Sequence, residues 1–327
     1  MRAIRVHETG AAAEVLRPED LPRPEPGEGQ ALVRVVFAAV VRGDVVVRSG
    51  GYPFPLPFVP GLEVVGQVVA VGAGVDPGRV GESVVAATAG MSGGYAEYAV
   101  VDAVRAHRIP GGVTAEQALA VAEPGGLAYG ILDVIGLRAG ESVLVTAAAG
   151  RAGSMLVQVA RAAGAIVVAG VGAEAKRPAA LESGAVAAVD YSADGWEERV
   201  REVSGGAGVD AVLDSVGGEI GRQALAAARD GGRIGVFGFS SGRWAPLDAF
   251  AIGRRGLTVV GVLGLAFARA QAQQEGDVAR ALKDAAAGRL VGRVHSVHPL
   301  EEAARAHEVL ERRENVGVVL LRTGVDS

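Results

Sequence analysis

As far as about Pro124, apolar residues come in short runs of the length and make-up of strands. Ala31 to Val40, Val64 to Val71, Ser83 to Ala87 and Ala96 to Val101 are rich in Val and Ala, and Met1 to His7 alternates in polarity. Gly/Pro segments such as Pro24-Glu25-Pro26-Gly27 and Gly50-Gly51-Tyr52-Pro53 separate them, as turns do. The spacing predicts a compact, antiparallel, barrel-like unit.

Beyond Pro124 the period changes. Ser142 to Thr146 reads as a short buried strand and Gly153 to Ala163 as a helix. In that helix Leu156, Val159, Ala160 and Ala163 recur at i, i+3, i+4 and i+7, and Gly164 supplies the stop. Alternation continues through strand Ala165 to Val171, helix Pro178 to Ser183, strand Ala187 to Val189 and helix Trp196 to Val203. Strand Val209 to Asp214, helix Ile220 to Ala228 and strand Arg233 to Phe237 follow. Strands and helices at this pace imply a parallel sheet covered on both faces. A last strand, Leu257 to Leu263, comes after a longer loop. Helices at Val278 to Ala287 and Leu300 to Arg312 and a strand at Gly317 to Leu321 close the chain.

Composition narrows the classes. A length of 327 residues suggests about two domains. Half the residues are apolar and 21% are charged, so the chain can bury a core. Aromatics make up only 4% while there are 49 glycines, which suits a Val/Ala/Leu core with many tight turns. A net charge of −5 gives no electrostatic footprint for nucleic acid. The pairs Arg254-Arg255 and Arg312-Arg313 fit solvated helix ends. There is no cysteine, which excludes disulfides, thiolate zinc sites and thiol nucleophiles. The longest apolar run, Gly256 to Ala268, falls short of the ~20 residues that span a bilayer. Met1 to His7 lacks the apolar centre of a signal peptide. A cytoplasmic protein with no membrane partner is the expectation.

Chemistry concentrates in one turn. Ala147-Ala148-Ala149-Gly150-Arg151-Ala152-Gly153 follows a buried strand and opens an amphipathic helix. Ala148-x-Gly150-x-x-Gly153 is one glycine short of the dinucleotide fingerprint, but its setting is the required one. Small residues let the backbone approach a pyrophosphate, and unpaired N–H groups at the positive end of the helix hold the charge. Gly153 permits close packing of helix on strand. The end of the next strand discriminates NAD from NADP. Glu174 there is able to take a ribose 2′-hydroxyl, whereas Lys176 and Arg177 can neutralise a 2′-phosphate, and the balance leans to NADP.

On these residues the chain resembles the zeta-crystallin-like quinone oxidoreductases, a zinc-free branch of the medium-chain dehydrogenase/reductases. The resemblance covers nearly the whole length and is most specific from Gly140-Glu141 through the Ala148-Ala149-Gly150 turn and Gly153 to Gln158 and Arg161. Arg151 stands where the family has a second glycine. The resemblance implies an α/β fold: a GroES-like, partly open β-barrel domain (1–122 and 265–327) and a Rossmann doubly wound parallel sheet (123–264). It also implies homodimers joined by the strand near Leu257 to Leu263. The cofactor is expected to be NADPH, held by Ala149, Gly150, Arg151, Ala152 and Gly153. Gly172, Lys176 and Tyr191 match positions at the 2′-phosphate, and Ser215, Val216, Phe237, Phe239 and Ser240 match loops bordering the nicotinamide and its ribose.

Zinc-dependent relatives carry a Cys before the first-domain Asp, a Gly-His-Glu triplet and a further Cys. This chain reads Val41-Arg42-Gly43-Asp44 and Gly61-Leu62-Glu63 instead, so a catalytic zinc of that kind is excluded. Of the histidines only His295-x-x-His298 has ligand spacing, and its place before Pro299 reads as a surface turn. Without zinc to hold a developing oxyanion, the hydride acceptor must carry more of its own activation. Quinones and α,β-unsaturated carbonyls do so by conjugation, leaving the protein to orient, dry and donate hydrogen bonds. Tyr52, in Ser49-Gly50-Gly51-Tyr52-Pro53, is the candidate donor and Arg42 a second. Val41 replaces the family's Asn, Ala128 a frequent Thr and Val318 a common Lys, so a drier pocket is expected. An enoyl-thioester (enoyl-CoA/ACP) reductase and a non-catalytic NADPH-binding protein are the rival assignments.

Overall fold

The computed structural model describes residues 1–324. Strand β1 (Arg2–Arg5), the helical turn α1 (Ala12–Val15) and strand β2 (Arg17–Asp20) open the chain. Strand β3 (Gln30–Val40), helix α2 (Arg42–Arg48), and strands β4 (Glu63–Val71), β5 (Ser83–Thr88) and β6 (Tyr98–Arg108) follow. Helix α3 (Ala115–Ile135) leads on to β7 (Ser142–Val145), α4 (Arg151–Ala162), β8 (Ile166–Val171) and α5 (Arg177–Glu182). Then come β9 (Ala187–Asp190), α6 (Trp196–Val203), β10 (Val209–Asp214), α7 (Gly218–Ala227), β11 (Ala228–Val236) and α8 (Ala249–Arg255). Strand β12 (Thr258–Val260) and helices α9 (Val262–Phe267) and α10 (Gln271–Ala286) precede β13 (Val294–Pro299), α11 (Ala303–Glu311) and β14 (Val318–Arg322).

Two compact units result, Met1–Glu123 with Ala279–Ser327, and Pro124–Val278. The return to the first unit thus falls at Ala279, later than residue 265.

In the first unit six strands run in the order β13-β14-β3-β4-β5-β6, and a further β3–β6 pairing curls β3 to β6 into a barrel. Its long strand β3 makes this possible: Gln30–Arg34 pair with Tyr98–Asp102 of β6, while Phe37–Val40 pair with β14. Val33, Val35, Val64, Val84, Ala99, Val101 and Val319 fill the interior with Leu300 and with Ala303, Ala306 and Leu310 of α11. The alternation of the sequence made these strands legible. Strand β6, expected over Ala96 to Val101, runs on to Arg108 because β5 pairs with its second half.

The second unit is a six-stranded parallel sheet in the order β12-β11-β10-β7-β8-β9. Strand order therefore reverses between β7 and β10, the point where open α/β sheets bind ligands outside their carboxyl ends. Three sequence readings change here and in the flanking segments. Leu257 to Leu263 is not one strand: pairing stops at Val260, and the chain turns helical at Val262. A short apolar run cannot distinguish the two by period alone. The stretch longest and most apolar in structure is α3, whose 21 residues match a bilayer span by length and composition; 72% of its apolar window is buried within the protein. Pro124-Gly125-Gly126 hides this helix in the sequence, yet lies inside it, and a Cβ on Gly126 would sit 2.7 Å from Val278. Finally, His295 and His298 lie on strand β13, not a turn. Three residues apart on a strand they point to opposite faces.

Candidate active site

The turn expected to hold a dinucleotide lies at the switch point. Strand β7 is buried throughout its Val143-Leu144-Val145 end. Ala147 then takes φ +49°, a left-handed conformation that is costly for a residue with a side chain. The Gly150 N–H closes the turn on Ala147's carbonyl at 2.9 Å, and α4 begins at Arg151. Helix and turn are in contact at Gly153: a Cβ there would stand 2.2 Å from the Ala147 carbonyl oxygen. Only glycine fits. Gly150, Arg151, Ala152 and Gly153 so line the first turn of a 12-residue helix, whose leading N–H groups have no carbonyl partner within it.

At the carboxyl end of β8 the Tyr191 ring lies over Gly172, where a Cβ would come within 3.0 Å of the tyrosine hydroxyl. Tyr191 also packs edge-on against Trp196, centroids 6.0 Å apart. Glu174 and Lys176 share the 3-10 turn that follows. Arg177 donates to Glu174 at 2.6 Å. That ion pair engages both the acid suited to a ribose hydroxyl and one of the two cations suited to a phosphate.

The loops after β10 and β11 are tied together on the same edge. Asp214, fully buried, accepts from the N–H groups of Val216 and Gly217 at 3.0 Å each and from the Thr146 hydroxyl at 2.9 Å. Burial raises its pKa above the usual carboxylate value, against those donors. The Thr146 oxygen in turn accepts from the Ser215 N–H at 3.0 Å, so β7 and β10 end in one polar knot. Phe237, Ser240 and Ser241 donate backbone N–H groups to the carbonyls of Asp214, Ser215 and Val216. Ala149, Gly150, Ser215, Val216, Phe237, Phe239 and Ser240 are thereby gathered at one edge of one sheet.

The first-domain candidates are more dispersed. Tyr52 is 61% exposed on its Gly/Pro loop. Arg42, half-buried, donates to the Leu310 carbonyl at 3.5 Å; burial first and then the neighbouring Arg313 hold its pKa below the usual guanidinium value. Val41 is the N-cap of α2, and its side chain has nothing with which to cap it.

Beneath it runs a network that sequence reasoning missed. Asp44 at the third position of α2 accepts from the Val41 N–H at 3.0 Å, the Gly61 N–H at 3.1 Å and the Tyr95 hydroxyl at 3.1 Å. The Tyr95 oxygen lies 3.0 Å from His307 Nε2. All three are buried, and His307 Nδ1 has no hydrogen-bond partner. Burial pushes Asp44 up to about 7, although its three donors oppose the rise. Burial, assisted by Arg48, pushes His307 down to about 3. Above about pH 7, a neutral imidazole donating from Nε2 to Tyr95, which donates to an ionised Asp44, satisfies the chain of bonds. Arg48, itself buried, is neutralised by Glu311. The sequence carried one signal: Ala303, Ala306, His307 and Leu310 form the apolar face of α11, so the histidine had to be inside.

A GroES-like barrel unit and a doubly wound parallel sheet with a glycine turn at its switch point define a two-unit, medium-chain dehydrogenase/reductase architecture. The sequence matches the alcohol dehydrogenase GroES-like domain over residues 27–111 and the zinc-binding dehydrogenase domain over residues 152–282. It is 31% identical to a probable quinone oxidoreductase of Schizosaccharomyces pombe, over 99% of this chain and 97% of that one. Two solved structures are similar. Escherichia coli quinone oxidoreductase complexed with NADPH has 30% identity and a TM-score of 0.91, covering 99% of this chain and all of that one. A mycobacterial protein complexed with NADPH has 35% identity and a TM-score of 0.91 at the same coverage. The chain belongs to the quinone-oxidoreductase-like branch of the medium-chain dehydrogenase/reductases.

The zinc in one of those domain descriptions finds no ligand set. The chain has no cysteine, Leu62 occupies the central triplet position, and among the described residues no three His, Asp or Glu side chains converge.

Proposed function

We propose that the protein is an NADPH-dependent reductase of quinones or α,β-unsaturated carbonyls that needs no metal. The observation that carries this is the Ala147–Gly153 turn, closed so tightly at the sheet's switch point that a side chain at 153 has no room. Relatives of the same length named as quinone oxidoreductases, and similar structures complexed with NADPH, support it. Bound NADPH would supply the hydride.

The chain's own residues do the rest. Backbone N–H groups of Arg151, Ala152 and Gly153 hold the pyrophosphate, at the positive end of the α4 dipole. Lys176 and Tyr191 hold the 2′-phosphate; the engagement of Glu174 by Arg177 favours this over a ribose hydroxyl contact. Ser215, Val216, Phe237, Phe239 and Ser240 border the nicotinamide end. Tyr52 donates a hydrogen bond to the acceptor oxygen as it gains charge, and Arg42 adds positive potential. Val41 keeps the neighbouring wall apolar. A conjugated acceptor delocalises the added electron pair onto oxygen, which lowers the demand on the protein's own hydrogen-bond donors. We further infer a cytoplasmic homodimer. Its contact would be β12, an edge strand of the second unit's sheet, with neither nucleic acid nor membrane as partner.

The test is NADPH oxidation with 9,10-phenanthrenequinone, a linear enone and crotonyl-CoA in parallel. Turnover of the first two without the third is expected. Turnover of crotonyl-CoA alone makes the protein an enoyl-thioester reductase, and tight NADPH binding without turnover makes it a non-catalytic binder.

A further inference from the structure

We propose that Phe239 and Trp244 form an aromatic plate that selects flat, fused-ring acceptors; the proposal rests on the reductase assignment above. The chain has only two tryptophans and seven phenylalanines. Trp196 is core, 1% exposed, with its indole N–H donating to Gln223 at 2.9 Å. Trp244 is 54% exposed. Its ring lies against Phe239, centroids 4.7 Å apart and planes 42° from parallel.

Backbone bonds hold that pair on the ligand-binding edge of the sheet. Ser240 and Ser241 donate to the carbonyls of Ser215 and Val216, and the Gly218 N–H donates to the Arg243 carbonyl at 2.9 Å. The approach is so close that a Cβ on Gly217 would stand 2.2 Å from the Arg243 oxygen. Residues 239–244 therefore form a clamp over the loop that follows β10, beside the switch point where this sheet type binds its ligand.

An indole half open to water, backed by a second ring and set at a binding edge, offers a π-face and little hydrogen bonding. Its complement is a planar, conjugated, weakly polar molecule, for which offset stacking adds to the gain from burial. A fused-ring quinone presents such a face. A short linear enone does not.

The test uses the intact protein saturated with NADP⁺, so that no turnover occurs. Phenanthrenequinone should quench the exposed indole and leave Trp196 alone, and the quench should vanish in Trp244→Phe. In steady state with NADPH, Trp244→Ala should raise KM for phenanthrenequinone about tenfold and leave that for a linear enone within about twofold. Trp244→Phe, which keeps a ring there, should recover most of the loss, and NADPH affinity should be unchanged throughout. Quenching without any turnover in the parent protein would uphold the plate and sink the reductase assignment. Turnover of phenanthrenequinone with no quench, or equal KM changes for both acceptors, would overturn the plate alone. So would conversion of the Trp244→Ala protein to a smaller oligomer with quinone KM unaltered, since the indole would then belong to a subunit interface.

Discussion

Asp44 and His307 meet through Tyr95 in the core of the first unit, and their titrations oppose each other. Asp44 goes from 3.8 to about 7 on folding. A carboxyl raised in this way binds its proton better in the folded state, so its contribution is full below about pH 4 and is lost as pH rises through about 7. His307 goes from 6.5 to about 3. An imidazole lowered in this way contributes fully above about pH 6.5, and the contribution is lost as pH falls through about 3. At 1.36 kcal/mol per unit, the two are worth at most about 4 and about 5 kcal/mol respectively. Between about pH 4 and 6.5 the folded state holds one proton more than the unfolded state at Asp44 and one fewer at His307. The slopes cancel. Removing either partner exposes the other: relative to the parent protein, His307→Phe should gain stability on acidification from about pH 6.5 to 4.5, and Asp44→Asn should lose it. Each change should approach about 2–3 kcal/mol over those two units. Urea unfolding at three pH values across the window measures this, taking each variant's difference from the parent so that all other titrations drop out. Differences that stay constant with pH, in both variants, would refute the opposed pair.

Other outcomes follow from the site. Gly153→Ala forces a Cβ onto the Ala147 carbonyl, so it should cost about 1–3 kcal/mol in denaturant unfolding and weaken NADPH binding at least about tenfold by fluorescence titration. Lys176→Ala should weaken NADPH by roughly 10- to 100-fold, the worth of a hydrogen bond to a charged group, and leave NADH within about twofold. Val41→Ser gives α2 the capping oxygen it lacks and should stabilise the protein by about 1 kcal/mol, read as a rise in thermal midpoint.

The elements with a strong local apolar pattern were legible in the sequence: α4 with its 3.6-residue period, β8 with its continuous apolar run, and the alternating strands of the barrel. The glycine turn was legible too, since strand, small residues and helix are adjacent in the chain. Helix α3 was not, because Pro124, Gly125 and Gly126 look like breakers until Val278 and Arg269 are seen packed against Gly126 and Gly130. Strand β13 was hidden by its polar, half-exposed Val-His-Ser-Val-His pattern, which β14 pairs nonetheless. The buried polar chain was the hardest to read. Asp44, Tyr95 and His307 are separated by 51 and 212 positions, and only the closed barrel brings them together. The engagement of Glu174 by Arg177 is likewise a matter of side-chain geometry, invisible to a count of nearby charges.

The central claim is reduction of a self-activated acceptor by NADPH without a metal. The most direct measurement is phenanthrenequinone-dependent NADPH oxidation by protein dialysed against a strong chelator, with bound metal determined on the same sample. The predicted result is an unchanged rate at far less than one metal ion per chain, and no rise on adding zinc. A rate abolished by chelation and restored by zinc would contradict it.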